Sequence, residues 1–440
     1  MTKSLYDEMR SEQNLFSAWR HVKRSALNSD NNEIKGQAAE FEHRHQTHLR
    51  TIGKQLQKER FVFDDVTGVL KDKKKRLAQK KDPRPIAIAT LRNRVVQRAI
   101  LQVLQPRKAR NIADIDTRYE AISDPRLGKI NSVNRSDFGV GGLLKPFAGV
   151  NPAIKRISKA VDDGARYFFQ SDIKAFFTRI PTADVISFVQ AQTNDEQLTK
   201  IFADGLRVNL ANKEELATYA KLFPAGGIGV AQGSSLSAFA GNVLLYDLDH
   251  ELNTGTVTAV RYIDDLLMVA PSEAALNEAV KLAKARLAAF GFSLYKPVRG
   301  SDKAAQGLCG HDSISFLGCM LQPNRCVPSA RSMQNLSKSV SSSISASKKA
   351  INASIHEGKM LPPSLSESAV LQAIGKKIYG WQKSFAFCND PQPFAQLDSE
   401  IFAKISDYRS WVFRKTQSLA DNGLRGRIYG VRDMAAMFEE

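Results

Sequence analysis

The sequence has few cysteines and no long apolar segment. Four cysteines occur among 440 residues at irregular spacing, which argues against a disulfide framework and favours a reducing compartment. No apolar run approaches the ~20 residues that a membrane-spanning helix needs. The N-terminal segment contains acidic residues before any apolar stretch begins, a pattern that signal peptides do not have. We therefore predict a cytoplasmic protein with no membrane partner.

A C-x-x-C pair, the most familiar signature of a zinc site, is also missing. Cys309, His311, Cys319 and Cys326 lie close enough in the chain to hold zinc in principle. Because no two of the cysteines have the short spacing of a typical zinc site, reduced structural thiols are the favoured interpretation.

Acidic residues are too few to balance the basic ones. The chain has 63 Lys and Arg against 45 Asp and Glu, a net charge of +18. A basic excess of this size is typical of proteins that bind a polyanion, and nucleic acid is the leading candidate. On composition alone, a basic surface kept for solubility is the alternative.

Apolar periodicity predicts a mixture of helices and strands. Helices are expected at 32–58, 92–104, 152–162 and 273–290, and after a glycine-rich loop in 222–252. Strands are expected at the start of 167–181, at 292–297 and at 314–321, and a basic loop that begins at residue 71 should feed a further strand after Pro85.

Two adjacent carboxylates interrupt an otherwise apolar hairpin in RYIDDLLMVA, residues 261–270. Asp264 and Asp265 repel each other and are costly to desolvate unless a cation lies beside them. Asp172 ends the strand that begins at Tyr167, so strand tips lying side by side would bring three carboxylates together. Such a cluster can share two divalent ions, which stabilise the attacking and leaving oxygens of an in-line phosphoryl displacement.

Taken in order, these segments resemble the motifs of reverse transcriptases across roughly residues 60–385. FFQSDIKAFF resembles the first catalytic motif, AQGSSLS the nucleotide-pocket motif and YIDD the Tyr-x-Asp-Asp signature. RPIAIATLRNRVVQRAIL is similar to the fingers motif of group II intron and related bacterial enzymes. FLGCML is similar to the primer grip, and KKIYGWQKSF to the thumb of those bacterial enzymes.

The resemblance implies an α+β fold, a right-hand polymerase with an antiparallel-sheet palm, mostly helical fingers and a helical thumb. The expected ranges are 1–165 for N-terminal helices and fingers, 166–328 for the palm and 329–440 for the thumb and C-terminal tail. A fingers-like helical insertion is expected within the palm, at about 182–225.

The resemblance also implies roles for individual residues. The expected catalytic residues and ligands of two Mg²⁺ ions, with Mn²⁺ as an alternative, are Asp172, Asp264, Asp265 and the carbonyl of Ile173. Phe177 is expected to lie under the sugar and exclude a 2′-hydroxyl, so that deoxynucleotides are preferred. The other expected nucleotide contacts are Lys80, Lys81, Arg84, Gln232, Gly233 and Lys296. The expected primer grip is Phe316, Leu317 and Gly318, and the expected nucleic-acid contacts are Lys73, Lys74, Lys75, Arg76 and Tyr262.

Several features of known reverse transcriptases are missing. We find no Cys/His nuclease domain, retron thumb signature, protease, integrase or ribonuclease H segment, and the segment DFGVGG (137–142) lacks the arginine and proline of its intron-type counterpart. What remains resembles the stand-alone bacterial enzymes of the defence-associated, "unknown group" class. That resemblance implies a noncoding RNA template, a DNA primer or product, dNTP substrates and a role against phage.

Other interpretations remain open at this point. Template-independent or protein-primed DNA synthesis of the abortive-infection type is one, and a maturase-like RNA-binding protein is another. Each acid also has a structural interpretation, since Asp172 could cap the next helix and Asp264 and Asp265 could be ordinary turn residues.

Overall fold

The computed structural model describes residues 3–29, 31–109, 119–298 and 303–431. The chain divides into two compact units, Met1–Leu308 and Cys309–Glu440. This division does not test the predicted ranges of fingers, palm and thumb, which stay predictions. Within the described ranges, no helix combines the length and the apolar character needed to cross a membrane.

The first unit is mainly helical and contains one four-stranded sheet. Its helices are α1 (Leu5–Met9), α2 (Glu12–Leu27), α3 (Asn32–His43), α4 (His45–Gln57), α5 (Lys73–Ala78), α6 (Leu91–Leu104), α7 (Ile130–Val133), α8 (Val150–Asp162), α9 (Phe176–Arg179), α10 (Thr182–Thr193), α11 (Glu196–Leu206), α12 (Lys213–Leu216), α13 (Ser235–Glu251) and α14 (Glu273–Ala289), with short 3-10 turns at Pro125–Leu127 and Ala217–Leu222. Its strands are β1 (Thr67–Lys71), β2 (Arg84–Ile88), β3 (Arg107–Ala109), β4 (Tyr119–Ala121), β5 (Tyr167–Asp172), β6 (Thr258–Tyr262), β7 (Asp265–Ala270) and β8 (Ala304–Leu308).

Amphipathic helices at the N-terminus pack around α6. Trp19 on α2 and Ile100 on α6 are almost fully buried in this core, and α2 contacts both α3 and α6. The single helix predicted over 32–58 is wrong in one respect, because it is divided at Arg44. The ring nitrogen Nδ1 of His45 lies 2.7 Å from the carbonyl oxygen of Glu42, a side-chain bond to the backbone of the kind that competes with helix continuation.

Strands β6, β7, β5 and β8 form an antiparallel sheet in that spatial order. Helix α14 packs against β5 and β7, and α8 against β6. The predicted strand at 292–297 is wrong, since only Leu294 makes an isolated bridge, to Ile173. Pro297 cannot donate a ladder hydrogen bond and ends the segment. Strand β8 was not predicted because its sequence, AAQGL, has little apolar alternation.

Strands β1 and β2 form a separate two-stranded hairpin. The basic segment between them was predicted as a loop, and this is wrong in part because α5 occupies residues Lys73–Ala78. The hairpin therefore carries a short basic helix at its tip, with the side chains of Lys73, Lys74 and Lys75 exposed to solvent.

The second unit combines a three-stranded sheet with long helices. Its elements are β9 (Ile314–Phe316), β10 (Cys319–Gln322), β11 (Arg325–Pro328), α15 (Ala330–Glu357), a 3-10 turn at Pro363–Leu365, α16 (Glu367–Ser384), α17 (Gln392–Gln417) and α18 (Asn422–Tyr429). The helices enclose an apolar core that includes Val340, Ile374 and Val412. The buried hydroxyls of Ser347 and Tyr408 lie 2.7 Å apart within this core, so these two polar groups are hydrogen-bonded to each other.

Candidate active site

Strand register brings the predicted acids together at one end of the sheet. Asp172, the last residue of β5, lies directly opposite Asp265, the first residue of β7. Directly opposed residues on antiparallel strands have Cβ atoms about 4.5–5.5 Å apart on the same face. Ile263 and Asp264 form the two-residue turn between β6 and β7, and the Ile173 N–H donates to the Asp264 carbonyl at 2.7 Å. Strand pairing and this backbone hydrogen bond thus bring all four predicted metal ligands close together.

The carboxylates lie in a partly desolvated setting with little neutralising charge. Burial raises the pKa of Asp264, and the neighbouring Asp265 charge raises it further, while Arg84 and Arg261 oppose the rise. Burial also raises the pKa of Asp265. The Asp172 carboxylate, 15% exposed, is ion-paired with the ammonium of Lys303. Clustered carboxylate and carbonyl oxygens are the ligands that Mg²⁺ prefers, so the donor set fits this ion.

The turn that holds Asp264 is strained. Ile263 has a φ of +65°, an uncommon conformation that is especially unfavourable for a β-branched residue. The Arg261 Nη1 donates to the Ile263 carbonyl oxygen at 2.8 Å. The surrounding structure therefore holds a backbone conformation that this sequence would not adopt by itself.

Behind the turn, Arg261 forms a buried ion pair with Asp249 of α13. Its Nε and Nη2 donate to the two carboxylate oxygens at 2.8 and 2.6 Å. The side chains of Arg261 and Asp249 are only 1% and 3% exposed. Desolvation raises the pKa of Asp249, and the Arg261 guanidinium opposes that rise. A bidentate pair of this geometry fixes both the position and the direction of the guanidinium.

The glycine segment 137–142 packs against the back of the same turn. The Val140 N–H donates to the Arg261 carbonyl at 2.9 Å, and the Arg261 N–H donates to the Phe138 carbonyl at 2.8 Å. A Cβ added at Gly141 would lie 2.7 Å from both the Cγ1 and the nitrogen of Ile263. Glycine is therefore needed at this position for the two segments to approach closely.

Two of the predicted nucleotide contacts, Phe177 and Gln232, accept backbone hydrogen bonds from neighbouring segments. The Phe177 carbonyl accepts from the Val230 N–H at 2.7 Å, and the Gln232 carbonyl accepts from the Ala87 N–H of β2 at 3.3 Å. Gly233 has a φ of +111°, and a Cβ there would lie 3.6 Å from the Ala87 carbonyl oxygen. Strand β2 also begins with Arg84, whose charge acts on Asp264. The loop before α13, Phe177 and β2 thus form one connected wall.

The contacts described for the other predicted residues are with groups outside this wall. The ammonium of Lys73 lies 4.7 Å from the centre of the Tyr219 ring, and the Arg76 Nε donates to the Asp82 carbonyl at 2.5 Å. The side chains of Lys80, Lys81 and Lys296 are exposed. Tyr262 is half-buried and pairs with Asp265 across the hairpin.

The predicted primer grip lies in the second unit. Phe316 is buried at the end of β9, and Leu317 and Gly318, with φ of +49° and +81°, form the turn into β10. The turn is anchored within its own unit, since the Ser329 N–H donates to the Gly318 carbonyl at 2.7 Å.

Sequence reasoning missed Lys303 and the pair formed by Arg261 and Asp249. Arg261 precedes Tyr262 within the motif that identified the acids, and a basic residue in an apolar strand was a usable signal. Asp249, which lies in a helix rich in polar residues, and Lys303, which is far from Asp172 in sequence, carried no comparable signal.

Comparison with known proteins places the chain in a family. A model of the family "Reverse transcriptase (RNA-dependent DNA polymerase)" matches residues 71–321. The match covers more than half of the chain, and the chain therefore belongs to this family of RNA-directed DNA polymerases. The predicted enzyme class and the α+β fold with an antiparallel sheet are confirmed.

Solved structures with weaker similarity were also found, whereas a search of the curated proteins finds no match. A partial Cas6-RT-Cas1–Cas2 complex is 18% identical with a TM-score of 0.35, and the match covers 65% of this chain and 43% of that one. Telomerase from Candida albicans in complex with a TWJ fragment of telomeric RNA is 11% identical with a TM-score of 0.38, and the match covers 83% of this chain and 60% of that one. The chain thus spans less than two thirds of either relative's length.

Proposed function

We propose that the chain copies RNA into DNA by nucleotidyl transfer at Asp172, Asp264 and Asp265. The observation that supports this most directly is the pairing of Asp172 with Asp265 across adjacent strands, next to a turn that presents Asp264. A structural role alone requires no third carboxylate where two already repel each other. The clustered acids are better explained as ligands for cations.

Two Mg²⁺ ions bound by these acids and the Ile173 carbonyl would stabilise the attacking and leaving oxygens of the displacement. The chain's own contribution is to hold the ligands before an ion arrives. The Ile173 N–H fixes the Asp264 carbonyl, and Lys303 keeps the Asp172 carboxylate paired with a positive charge. Lys303, whose ammonium is paired with Asp172 at the site, would also supply a positive charge for a substrate phosphate.

The wall beside the acids supplies the groups that a deoxynucleoside triphosphate needs. Arg84 can neutralise phosphate with its planar donors, while Gln232 and Gly233 present backbone atoms next to β2. Phe177 is half-buried, with its ring centre 5.4 Å from that of Phe176. By the resemblance to reverse transcriptases, this ring would lie under the sugar and exclude a 2′-hydroxyl, so we expect dNTPs to be preferred over ribonucleotides.

The partners that we propose are an RNA template and a DNA primer or product. The residues Phe316, Leu317 and Gly318 would hold the primer end, and the exposed lysines of α5 would contact the phosphate backbone in a salt-sensitive way. From the resemblance of the motifs to defence-associated bacterial enzymes, we further propose that the template is a partner noncoding RNA and that the DNA acts against phage.

The test is DNA synthesis by the purified protein with RNA, Mg²⁺ and dNTPs. Asp264→Asn is expected to lower synthesis by about 10³-fold or more, because it removes a charged group on which the reaction centre depends. Asp247→Asn is the matched control, since Asp247 is exposed on α13. DNA synthesis that persists in Asp264→Asn would contradict the assignment of the acids.

Sequencing the RNA that copurifies and the DNA that forms tests the template. We expect DNA complementary to one recurring RNA. DNA of random sequence would instead support template-independent synthesis, and an Asp172→Ala, Asp264→Ala double variant that keeps its biological activity would support an RNA-binding role without catalysis.

A further inference from the structure

Three of the four cysteines meet in the second unit. Cys319 begins β10 and Cys326 lies in β11, both buried, while Cys388 follows α16 and is half-buried. The three Sγ atoms all lie within 4.8 Å of one another. Cys388 lies 62 or more positions after the other two cysteines in the sequence. The cluster can therefore be recognised only from the fold.

Strand pairing and hydrogen bonds hold the three thiols in place. Cys326 lies opposite Leu321 in the β10–β11 register, so Cys319, two residues before Leu321, projects from the same face of the hairpin. The Asn389 N–H donates to the Cys326 carbonyl at 3.1 Å, and the Cys326 N–H donates to the Asn389 side-chain oxygen at 2.8 Å. These two bonds clamp the segment after Cys388 to the hairpin.

The sulfur separation fits a metal–thiolate site. The Sγ atoms of Cys326 and Cys388 are 3.8 Å apart. A zinc–sulfur bond of about 2.3 Å in tetrahedral geometry places two thiolates about 3.8 Å apart, whereas a disulfide requires about 2.05 Å.

We propose that Cys319, Cys326 and Cys388 bind a thiophilic divalent cation, Zn²⁺, through three thiolates. Water or another ligand would complete the tetrahedral set, and Cys388 lines a cavity of about 350 Å³ beside Asn389 and Asp390. This site is separate from the carboxylates of the first unit in the chemistry of its donors, since soft thiolates select Zn²⁺ and carboxylates select Mg²⁺.

Thiols bind a metal ion as thiolates, so binding at this cluster would release protons. We therefore expect the affinity for the cation to fall as the pH is lowered.

Binding would cross-link the β10–β11 hairpin to the connection between α16 and α17. Cys319 directly follows Gly318, so the cross-link would stiffen the turn that carries Phe316, Leu317 and Gly318. This consequence for the primer end rests on the proposed function, whereas metal binding itself does not.

The experiment titrates the reduced, chelator-treated full chain with Cd²⁺, which gives thiolate charge-transfer absorption, followed by displacement with Zn²⁺. We expect one equivalent of Cd²⁺ bound through sulfur, and at least tenfold weaker binding in Cys388→Ser. The matched control is Cys309→Ser, which removes a half-buried thiol outside the cluster. Asp264→Asn should bind Cd²⁺ through sulfur as the wild type does, which separates this site from the proposed catalytic one.

Alkylation of the unmodified chain provides a measurement that does not depend on the variant folding. Zn²⁺ is expected to protect Cys388 from alkylation and to leave Cys309 reactive, although both thiols are half-buried. Absence of thiolate absorption in the wild type, full binding by Cys388→Ser, or equal protection of Cys388 and Cys309 would each overturn the proposal.

Discussion

The two sides of the β6–β7 turn differ in how their buried charges are arranged, with like charges clustered on one side and an ion pair on the other. On the front, Asp172, Asp264 and Asp265 crowd together, with Lys303 paired to the first of them. On the back, Arg261 and Asp249 neutralise each other through two hydrogen bonds. Removing one partner of a buried pair leaves an uncompensated charge and is strongly destabilising. Removing one member of a like-charged cluster relieves repulsion. The front therefore suits the cations that we propose it binds, while the back holds the turn in place.

The sharpest test of this comparison is Asp264→Asn, which should separate activity from stability. DNA synthesis should fall by about 10³-fold or more, yet the melting temperature at pH 7 without divalent ions should rise. Burial and the Asp265 charge raise the pKa of Asp264 in the folded chain, so ionisation above the unfolded pKa costs stability that asparagine avoids.

The pH dependence checks the sign of that effect. The stability difference between Asp264→Asn and wild type should shrink as the pH falls towards 3.8, the ordinary pKa of aspartate, because Asp264 then becomes increasingly protonated in both the folded and the unfolded wild type. Thermal melts between pH 4 and pH 7 measure it, with Asp247→Asn as the exposed control. A variant less stable than wild type at pH 7 would mean that Asp264 is a structural residue.

On the back of the turn, Asp249→Ala should have the opposite effect on stability. It leaves the Arg261 guanidinium buried without its carboxylate, and we expect the free energy of unfolding to fall by about 3–5 kcal/mol. Urea unfolding of the full chain measures this. The matched control is Glu251→Gln on the same helix, whose partner Arg286 is 57% exposed, so the loss there should be about 1 kcal/mol or less. Equal losses would remove the distinction between front and back.

Gly141→Ala tests whether the back also sets the position of the turn. Its Cβ would meet Ile263 at 2.7 Å, and overpacking of this kind costs about 1–3 kcal/mol. Because Ile263 precedes Asp264, DNA synthesis should fall as well. Gly255→Ala is the control, since a Cβ there meets nothing within 4 Å. Normal synthesis by a destabilised Gly141→Ala would show that the segment 137–142 supports the fold without positioning the acids.

Local patterns predicted the front of the turn, while the back depended on contacts distant in sequence. Adjacent acids in an apolar hairpin have one economical explanation, so Asp264 and Asp265 could be proposed as site residues without the fold. Asp249 could not be found, because its role depends on the distance to Arg261 and not on its neighbours in α13. The membership of Cys388 in the thiol cluster could not be predicted either, because Cys388 lies 62 positions after Cys326 in the sequence. The division of the helix at Arg44 is accompanied by a contact between the His45 side chain and the Glu42 carbonyl, which apolar periodicity does not report.

The smallest effect is expected from a substitution of Lys303, whose ammonium is paired with Asp172. In Lys303→Gln the charge partner of Asp172 is lost, but Lys303 is 36% exposed, so the free energy of unfolding should fall by only about 1 kcal/mol or less without Mg²⁺. In Mg²⁺ this difference should narrow or reverse, because the variant no longer has an ammonium that competes with the ion for Asp172. Melting temperatures with and without Mg²⁺ measure the change. Lys159→Gln, which breaks the exposed pair with Asp163, should show no dependence on Mg²⁺. If Mg²⁺ changes the melting temperatures of the two variants equally, the Lys303 ammonium does not compete with Mg²⁺ for Asp172. The acids at the front of the turn would then bind the ion more weakly than their charges imply.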